Sequence, residues 1–258
     1  MDPVYVRGCR LEVLPVGASD DAVGRAPIVF LHEGLGSTAM WRDWPQSVCQ
    51  ATGRAGWVYS RRGYGNSDPV ADVRHAGRLP PDYLHQEAWE VLPALLQALE
   101  VRSPVLLGHS DGASIALLYA SRFSASACIA MAPHVMVEEV SIRSIEAARE
   151  AYLHGDLRHR LARFHADVDG AFWQWNDAWL SAAFRDFDIR QDCTRIVAPL
   201  LAIQGSDDPY GTLAQIEQID LPADRIERVE LPGCGHSPHR DAPQETLRRI
   251  AAFLGRTA

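Results

Sequence analysis

The chain has 258 residues, with 25 basic side chains against 33 acidic ones and a formal net charge of −8. All 25 basic residues are arginine, so no internal lysine can form a Schiff base or reach a nucleotide phosphate from a Walker loop. An acidic balance with no basic stripe also argues against nucleic acid or an anionic membrane surface as a partner.

A chain of this length holds one large α/β domain with an insertion, or two small domains. A hydrophobic content of 47% is ample for a packed core. The cysteines, Cys9, Cys49, Cys128, Cys193 and Cys234, are odd in number, scattered, and form no C-x-x-C pair. That pattern predicts free thiols in a reducing compartment, with the cytoplasm as the expected location. The opening stretch MDPVYVRGCRLEV is acidic at its start and has no long apolar core, unlike a secretory signal. No run approaches the ~18 apolar residues of a membrane span.

Val4–Val16 alternates apolar and polar residues around Gly8 and predicts a β-hairpin. Pro27–Leu31 and Gly56–Tyr59 are short continuous apolar runs, the pattern of buried strands. Tyr83–Leu99 places Leu84, Ala88, Val91, Leu92, Leu95 and Leu99 at helical spacing. Pro104–Leu107 predicts a strand, Ala113–Ser121 a helix, and Ser126–Met131 another strand. Residues 137–195 break the rhythm, being charged and helical in pattern with no buried strand. Pro199–Ile203 and Arg225–Leu231 restore it, and Thr246–Leu254 closes the chain as an amphipathic helix. Strands alternating with helices predict an α/β fold, a mostly parallel sheet flanked by helices. The expected organisation is a core in two parts, 1–136 and 196–258, with 137–195 a helical insertion over one end of the sheet.

Gly108-His109-Ser110-Asp111-Gly112 lies between an apolar run and a small-residue helix. This is G-x-S-x-G in the strand–turn–helix context that lifts a serine hydroxyl above the strand ends. The helix starting at Asp111 aims its first amides at the same place, where negative charge is favoured. A serine nucleophile needs a base, and His236 follows the last strand on a glycine-flanked loop. It therefore falls at the sheet edge where open α/β folds place ligands. The base needs an orienting carboxylate, and Asp207 and Asp208 both follow the strand Pro199–Ile203 within Gly205-Ser206-Asp207-Asp208.

With these residues the sequence resembles the α/β-hydrolase superfamily, along nearly its whole length. His32-Glu33-Gly34-Leu35-Gly36-Ser37 resembles the H-G-x-x-G oxyanion loop, and Ser60-Arg61-Arg62-Gly63-Tyr64-Gly65-Asn66-Ser67 the D-x-R-G-x-G-x-S loop. The resemblance implies an α/β-hydrolase fold in which residues 137–195 form a helical cap. It implies Asp208 as the triad acid, the fourth residue of a G-x-x-D turn, and the order Ser110, Asp208, His236. It implies an oxyanion hole built from the amides of Asp111 and Gly34, with Leu35 the second choice to Gly34. Two positions depart from the family. Glu33 replaces a glycine and is expected to turn away from the oxyanion, toward an arginine such as Arg62. Ser60 stands at the usual aspartate, a structural position. Ser110 at the elbow separates the chain from the aspartate-using dehalogenases and epoxide hydrolases. The oxyanion and elbow motifs also differ from those of proline iminopeptidases, which carry a second glycine, a proline and a Trp after the nucleophile.

The implied activity is serine hydrolysis of a small acyl substrate, a carboxylic ester, lactone or thioester, through an acyl-enzyme on Ser110. The same triad also serves C–C hydrolysis of ring-cleavage products or lyase chemistry, and the same fold can serve as a ligand receptor without turnover. Candidate substrate-binding residues are His32, Leu35, Met40 and Trp41 around the oxyanion loop, His109 beside the serine, His134 near a strand end, and Trp175 and Trp179 in the insertion. Phe172, Trp175 and Trp179 share a helical face, which suits cap-on-core packing or an aromatic lid. Arg158, Arg160 and Arg163 are the cations expected to meet any substrate carboxylate. No metal-ligand spacing occurs, so no metal and no cofactor is expected. The expected state is a monomer or homodimer acting on a small molecule.

Overall fold

Eight strands form one sheet in the computed structural model, which describes residues 3–17 and 24–256. In chain order they are β1 (Val4–Val6), β2 (Cys9–Val16), β3 (Ile28–Leu31), β4 (Gly56–Ser60), β5 (Val105–His109), β6 (Ala127–Met131), β7 (Leu200–Gly205) and β8 (Ile226–Leu231). Across the sheet they run β1-β2-β4-β3-β5-β6-β7-β8. The hairpin β1–β2 is antiparallel, as is β2 against β4, and every other pairing is parallel. Every residue of β3, β5, β6 and β7 is buried. That two-sided burial is why these strands read as unbroken apolar runs, whereas β8 at the sheet edge alternates.

The helices are α1 (Trp44–Thr52), α2 (Tyr83–Gln86), α3 (Leu92–Ala98), α4 (Asp111–Ala120), α5 (Glu139–His154), α6 (Leu157–Leu161), α7 (Val168–Trp179), α8 (Arg190–Cys193), α9 (Ala214–Glu217), α10 (Pro238–Asp241) and α11 (Pro243–Arg256). The single helix expected over Tyr83–Leu99 is divided: a π-helical turn, Glu87–Val91, joins α2 to α3. Pro93, near the start of α3, has no N–H to continue the ladder. Two core clusters lie on opposite sides of the sheet. Val29, Leu31 and Leu106 pack toward Leu92, Leu95 and Leu117, while Ile28, Phe30 and Leu107 pack toward Val48, Ile250 and Phe253.

Between β6 and β7 the chain runs through α5, α6 and α7, a 3-10 turn (Ala182–Asp186) and α8. A short pairing holds the two ends of this excursion together. Ile189 donates its amide to Val135 (2.8 Å) and Val137 donates to Phe187 (3.2 Å). No helix among the described residues is long and apolar enough to cross a membrane.

The chain leaves β3 for β4 on one side and returns to β5 on the other. The strand order therefore reverses between β3 and β5, the topological switch point at which open α/β sheets hold ligands beyond their C-terminal ends. The loop after β3 carries Gly34, and the turn after β5 carries Ser110.

Candidate active site

Ser110 sits at φ 54° and ψ −120°, a left-handed conformation uncommon for a residue with a Cβ. Such strain costs about 1–3 kcal/mol and survives only where the surroundings fix it. Here the Ser110 amide donates to Met131 of β6 (2.9 Å), and its carbonyl accepts from Ala113 and Ser114 in α4. Close backbone packing explains the flanking glycines. A Cβ on Gly108 would lie 2.1 Å from the Gly112 carbonyl, and one on Gly112 would lie 2.1 Å from the Leu31 carbonyl.

The serine hydroxyl lies 2.9 Å from His236 Nε2. The other ring nitrogen, Nδ1, lies 2.8 and 3.0 Å from the two oxygens of Asp208. Asp208 also accepts from the Tyr210 amide (2.7 Å) and the Gln204 side-chain amide (2.7 Å). Burial pushes this carboxyl up, but the bonds from His236 and Tyr210 outweigh it and hold the pKa below the usual aspartate value. Asp207 is exposed and bonds to Ser206 instead. The acid and histidine loops approach closely at Gly205, where a Cβ would meet the Cys234 carbonyl at 2.2 Å.

Gly34 and Asp111 line the same cavity as Ser110. As the first residue of α4, Asp111 has an amide with no intrahelical acceptor. One buried guanidinium ties the two loops together. Arg61 Nη1 donates to the His32 carbonyl (2.7 Å), Nη2 donates to the Glu33 carbonyl (3.1 Å), and Nη2 lies 4.0 Å from Asp111 Oδ2. The Asp111 carboxylate also accepts from Tyr83 O–H (2.6 Å) and Trp179 Nε1 (3.2 Å). Burial raises its pKa, opposed by Arg61 and these donors.

The cavity has a volume of about 210 Å³. Of the candidate substrate residues, it brings together Leu35, His109, His134, Trp175 and Trp179. His134 is buried, with its ring centroid 4.8 Å from Trp179 and 5.8 Å from His236, and its Nδ1 meets no partner among the described residues. Phe172 turns aside to stack on Tyr152 at 3.7 Å. The shared aromatic face therefore does both jobs, packing at one end and lining the cavity at the other.

Three candidates fall elsewhere. His32 is buried behind the loop, where its Nδ1–H donates to the Glu33 carbonyl (2.7 Å) and its Nε2 accepts from the Arg61 amide (3.0 Å). Both ring nitrogens are used in shaping the loop. The 3-10 turn Thr38–Trp41 carries Trp41 to the other face of the sheet, against Phe30 and His239. Met40 is kept outside the cavity, its amide donating to the Ser37 carbonyl (3.2 Å) and its carbonyl accepting from Arg240 (3.4 Å).

Glu33 turns to Arg240 (3.4 Å) and His109 (3.5 Å), not to Arg62. Ser60 donates to Glu12 of β2 (2.7 Å) and accepts from the Thr38 amide (2.9 Å), tying the end of β4 to β2 and to the 3-10 turn after β3. None of the three insertion arginines lines the cavity. Arg158 pairs with Asp169 and Arg160 with Asp156 at the surface, and Arg163 lies over Phe164.

Sequence reasoning missed Ile145, Tyr210 and Ser237 in the cavity wall and Arg61 and His165 behind it. His165 accepts from the Gly65 amide (3.0 Å) and donates to the Leu35 carbonyl (3.0 Å), pinning the oxyanion loop from the insertion. Ile145 could have been found from Ile142, Ile145 and Ala148, a helically spaced apolar face within α5. The contacts of His165 span 100 and 130 residues and leave no local signal.

Gly34 offers a sharp test of the cavity. A Cβ there would lie 2.2 Å from Trp175 Nε1. Gly34→Ala should displace the indole or the amide and lower kcat by roughly 10²–10³, the cost of one oxyanion donor, with unchanged circular dichroism. Steady-state kinetics on any turned-over ester reads this, and unaltered kcat counts against Gly34 as a donor.

Buried histidines, among them His32, His134 and His239, give stability a pH dependence. Burial lowers the pKa of His32 well below the usual 6.5, and of His134 and His239 to about 3. Below pH 6.5 the unfolded chain takes up protons that the folded chain excludes. Stability should therefore fall on acidification, by about 1.4 kcal/mol per pH unit for each such histidine, and the loss from His134 and His239 continues toward pH 3. Neither ring nitrogen of His239 meets a partner among the described residues. Urea unfolding between about pH 7 and 5 should show a smaller slope for His239→Phe than for the unmodified chain, and equal slopes would refute the account.

A serine, a histidine and a carboxylate relayed across the switch point of such a sheet define an α/β-hydrolase architecture. The model of the Alpha/beta hydrolase family matches residues 28–249, and the chain belongs to that family. Proline iminopeptidase of Lactobacillus helveticus (strain DPC 4571) is 23% identical over 275 residues, covering 89% of this chain and 90% of that protein. Non-heme chloroperoxidase of Streptomyces lividans is 26% identical over 230 residues, covering 73% of this chain and 77% of that one. The enol-lactonase from Burkholderia xenovorans LB400 superposes with a TM-score of 0.72 at 20% identity, over 98% of this chain and all 100% of the other. A thermophilic esterase from Thermogutta terrifontis gives 0.73 at 15% identity, over 99% and 97%. The fold is shared with these structures, and the family makes the chain a hydrolase.

Proposed function

We propose that the chain is a serine hydrolase that cleaves a small, uncharged acyl substrate, a carboxylic ester, lactone or thioester, through an acyl-enzyme on Ser110. The observation that carries this is the hydrogen-bonded line Ser110 Oγ–His236–Asp208, with contacts of 2.9 and 2.8 Å, opening into one cavity. His236 takes the serine proton as Oγ attacks the acyl carbon, and Asp208 fixes the imidazole tautomer and stabilises the imidazolium. The amides of Asp111 and Gly34 donate to the oxyanion. Water activated by His236 then releases the acid.

The cavity supports the substrate class. Its volume of about 210 Å³ is below the ~300–1,000 Å³ of sites that enclose drug-sized ligands. Leu35, Ile145, Trp175 and Trp179 make much of the wall apolar, and no arginine lines it to bind a carboxylate. The excursion between β6 and β7 serves in this reading as a cap, closing the acyl pocket with Ile145, Trp175 and Trp179. A panel of short p-nitrophenyl esters, lactones, acyl-CoAs and ring-cleavage diketones separates the reactions. Labelling of Ser110 by a fluorophosphonate, with turnover of the esters or lactones, supports the reading. An unlabelled protein that binds ligand tightly would mark a receptor, and turnover of diketones alone would mark C–C hydrolysis.

A further inference from the structure

Glu33 stands where the H-G-x-x-G pattern has a glycine, and it faces a histidine that the triad does not use. The His109 side chain is 1% exposed, and its Nε2 lies 2.7 Å from the main-chain oxygen of His236. A carbonyl oxygen only accepts, so Nε2 carries a proton. On the other side of the ring, Nδ1 lies 3.5 Å from Glu33 Oε2. Nδ1 meets no hydrogen-bond partner among the described residues. With a proton on Nε2 alone, the Nδ1 lone pair would face a carboxylate in a buried site, which is repulsive. A second proton turns that contact into an attraction.

We propose that Glu33, partly exposed at the cavity wall, and the buried His109 form a carboxylate–imidazolium pair that clamps the His236 main chain and so positions the catalytic ring between Asp208 and Ser110. The groups facing this pair come from three further elements. Arg240 of α10 lies 3.4 Å from Glu33 Oε1. The His239 ring is centred 4.9 Å from His109, the His236 ring 5.1 Å, and the Trp41 ring 6.4 Å. Burial keeps His239 neutral, with its pKa pushed down to about 3. Burial pushes the Glu33 carboxyl up, but His109 and Arg240 outweigh it and hold it well below the usual glutamate range. One carboxylate thus faces two cations, the imidazolium and the guanidinium. The small positive excess behind the oxyanion hole means that an acidic residue in this loop does not oppose the developing oxyanion.

The protonation state can be read without any substrate, by heteronuclear NMR of the imidazole nitrogens at neutral pH. One histidine should carry protons on both nitrogens in the unmodified protein. Its signal should vanish in His109→Asn and become singly protonated in Glu33→Gln. Should His109→Asn fail to fold, Glu33→Gln alone identifies the signal. The kinetic arm rests on the serine-hydrolase reading: Glu33→Gln should lower kcat about tenfold at unchanged KM, as for a loosened catalytic group. A singly protonated His109 in the unmodified protein overturns the proposal, whatever substrate the enzyme takes. A doubly protonated His109 that survives Glu33→Gln overturns it as well.

Discussion

Ser110→Ala should lower kcat by roughly 10⁴–10⁶ while the chain keeps its fold. The size follows from how the three residues work as one unit. In the proposed mechanism Ser110 Oγ is the atom that forms the covalent bond, and His236, 2.9 Å away, has no other acyl acceptor to serve once it is gone. The activity left would come from the Asp111 and Gly34 amides, which still polarise a bound carbonyl. The substitution removes one oxygen and leaves the backbone as it was. An alanine at φ 54° keeps the same strain, since it too has a Cβ. Stability should therefore change little, and the measurement is clean. Hydrolysis rates and thermal unfolding of both proteins check it, and near-normal turnover by the alanine variant ends the assignment.

Arg61→Ala should be the most damaging change to stability away from the serine, at about 3–5 kcal/mol, the cost of removing one partner from a buried ion pair. Arg61 is 2% exposed and Asp111 1%. Without the guanidinium, the carbonyls of His32 and Glu33 lose donors at 2.7 and 3.1 Å, and the Asp111 carboxylate loses its nearby cation. Tyr83 and Trp179 still donate to Asp111, but two neutral donors do not balance a buried charge. Activity should fall together with stability, because the same residue fixes the loops that carry both proposed oxyanion amides. Arg158→Ala is the control: its pair with Asp169 is exposed on both sides, and water replaces what is lost. Chemical denaturation of the three proteins reads the difference. Equal midpoints for Arg61→Ala and Arg158→Ala would remove Arg61 from its central place.

The elements legible in the sequence are those with a local cause. Ile28–Leu31, Val105–His109 and Leu200–Gly205 are apolar throughout because both faces of the sheet are covered. The elbow was readable because G-x-S-x-G follows a strand and opens a helix; Gly108 answers to its near neighbour Gly112, whereas Gly112 answers to the distant Leu31. The break in Tyr83–Ala98 was not, since a helical apolar pattern tolerates a π turn without changing its spacing much. The first helix, Trp44–Thr52, also escaped notice, although its apolar residues pack on α11.

Among site residues the division follows the same logic. Ser110, Asp208 and His236 stand at strand ends, and a strand end is visible in sequence. His32 follows β3 directly and Trp41 lies in the first turn after it, yet neither reaches the cavity. What sent them elsewhere was a hydrogen bond to Arg61 in one case and a 3-10 turn toward the opposite core in the other.

The missing lysine shows both sides. The sequence alone determined that every basic side chain is a permanently charged guanidinium, that a serine stands where the fold makes a nucleophile, and that an α/β sheet carries it. Only the tertiary structure decided what those arginines do. The insertion arginines, offered for a substrate carboxylate, pair at the surface. Arg61 is buried to hold the oxyanion loop, and Arg240 comes from a helix after His236 to face Glu33 across more than 200 residues. A side chain's type is written in the chain, but its partner is set by burial and by distances that arise only when remote segments pack.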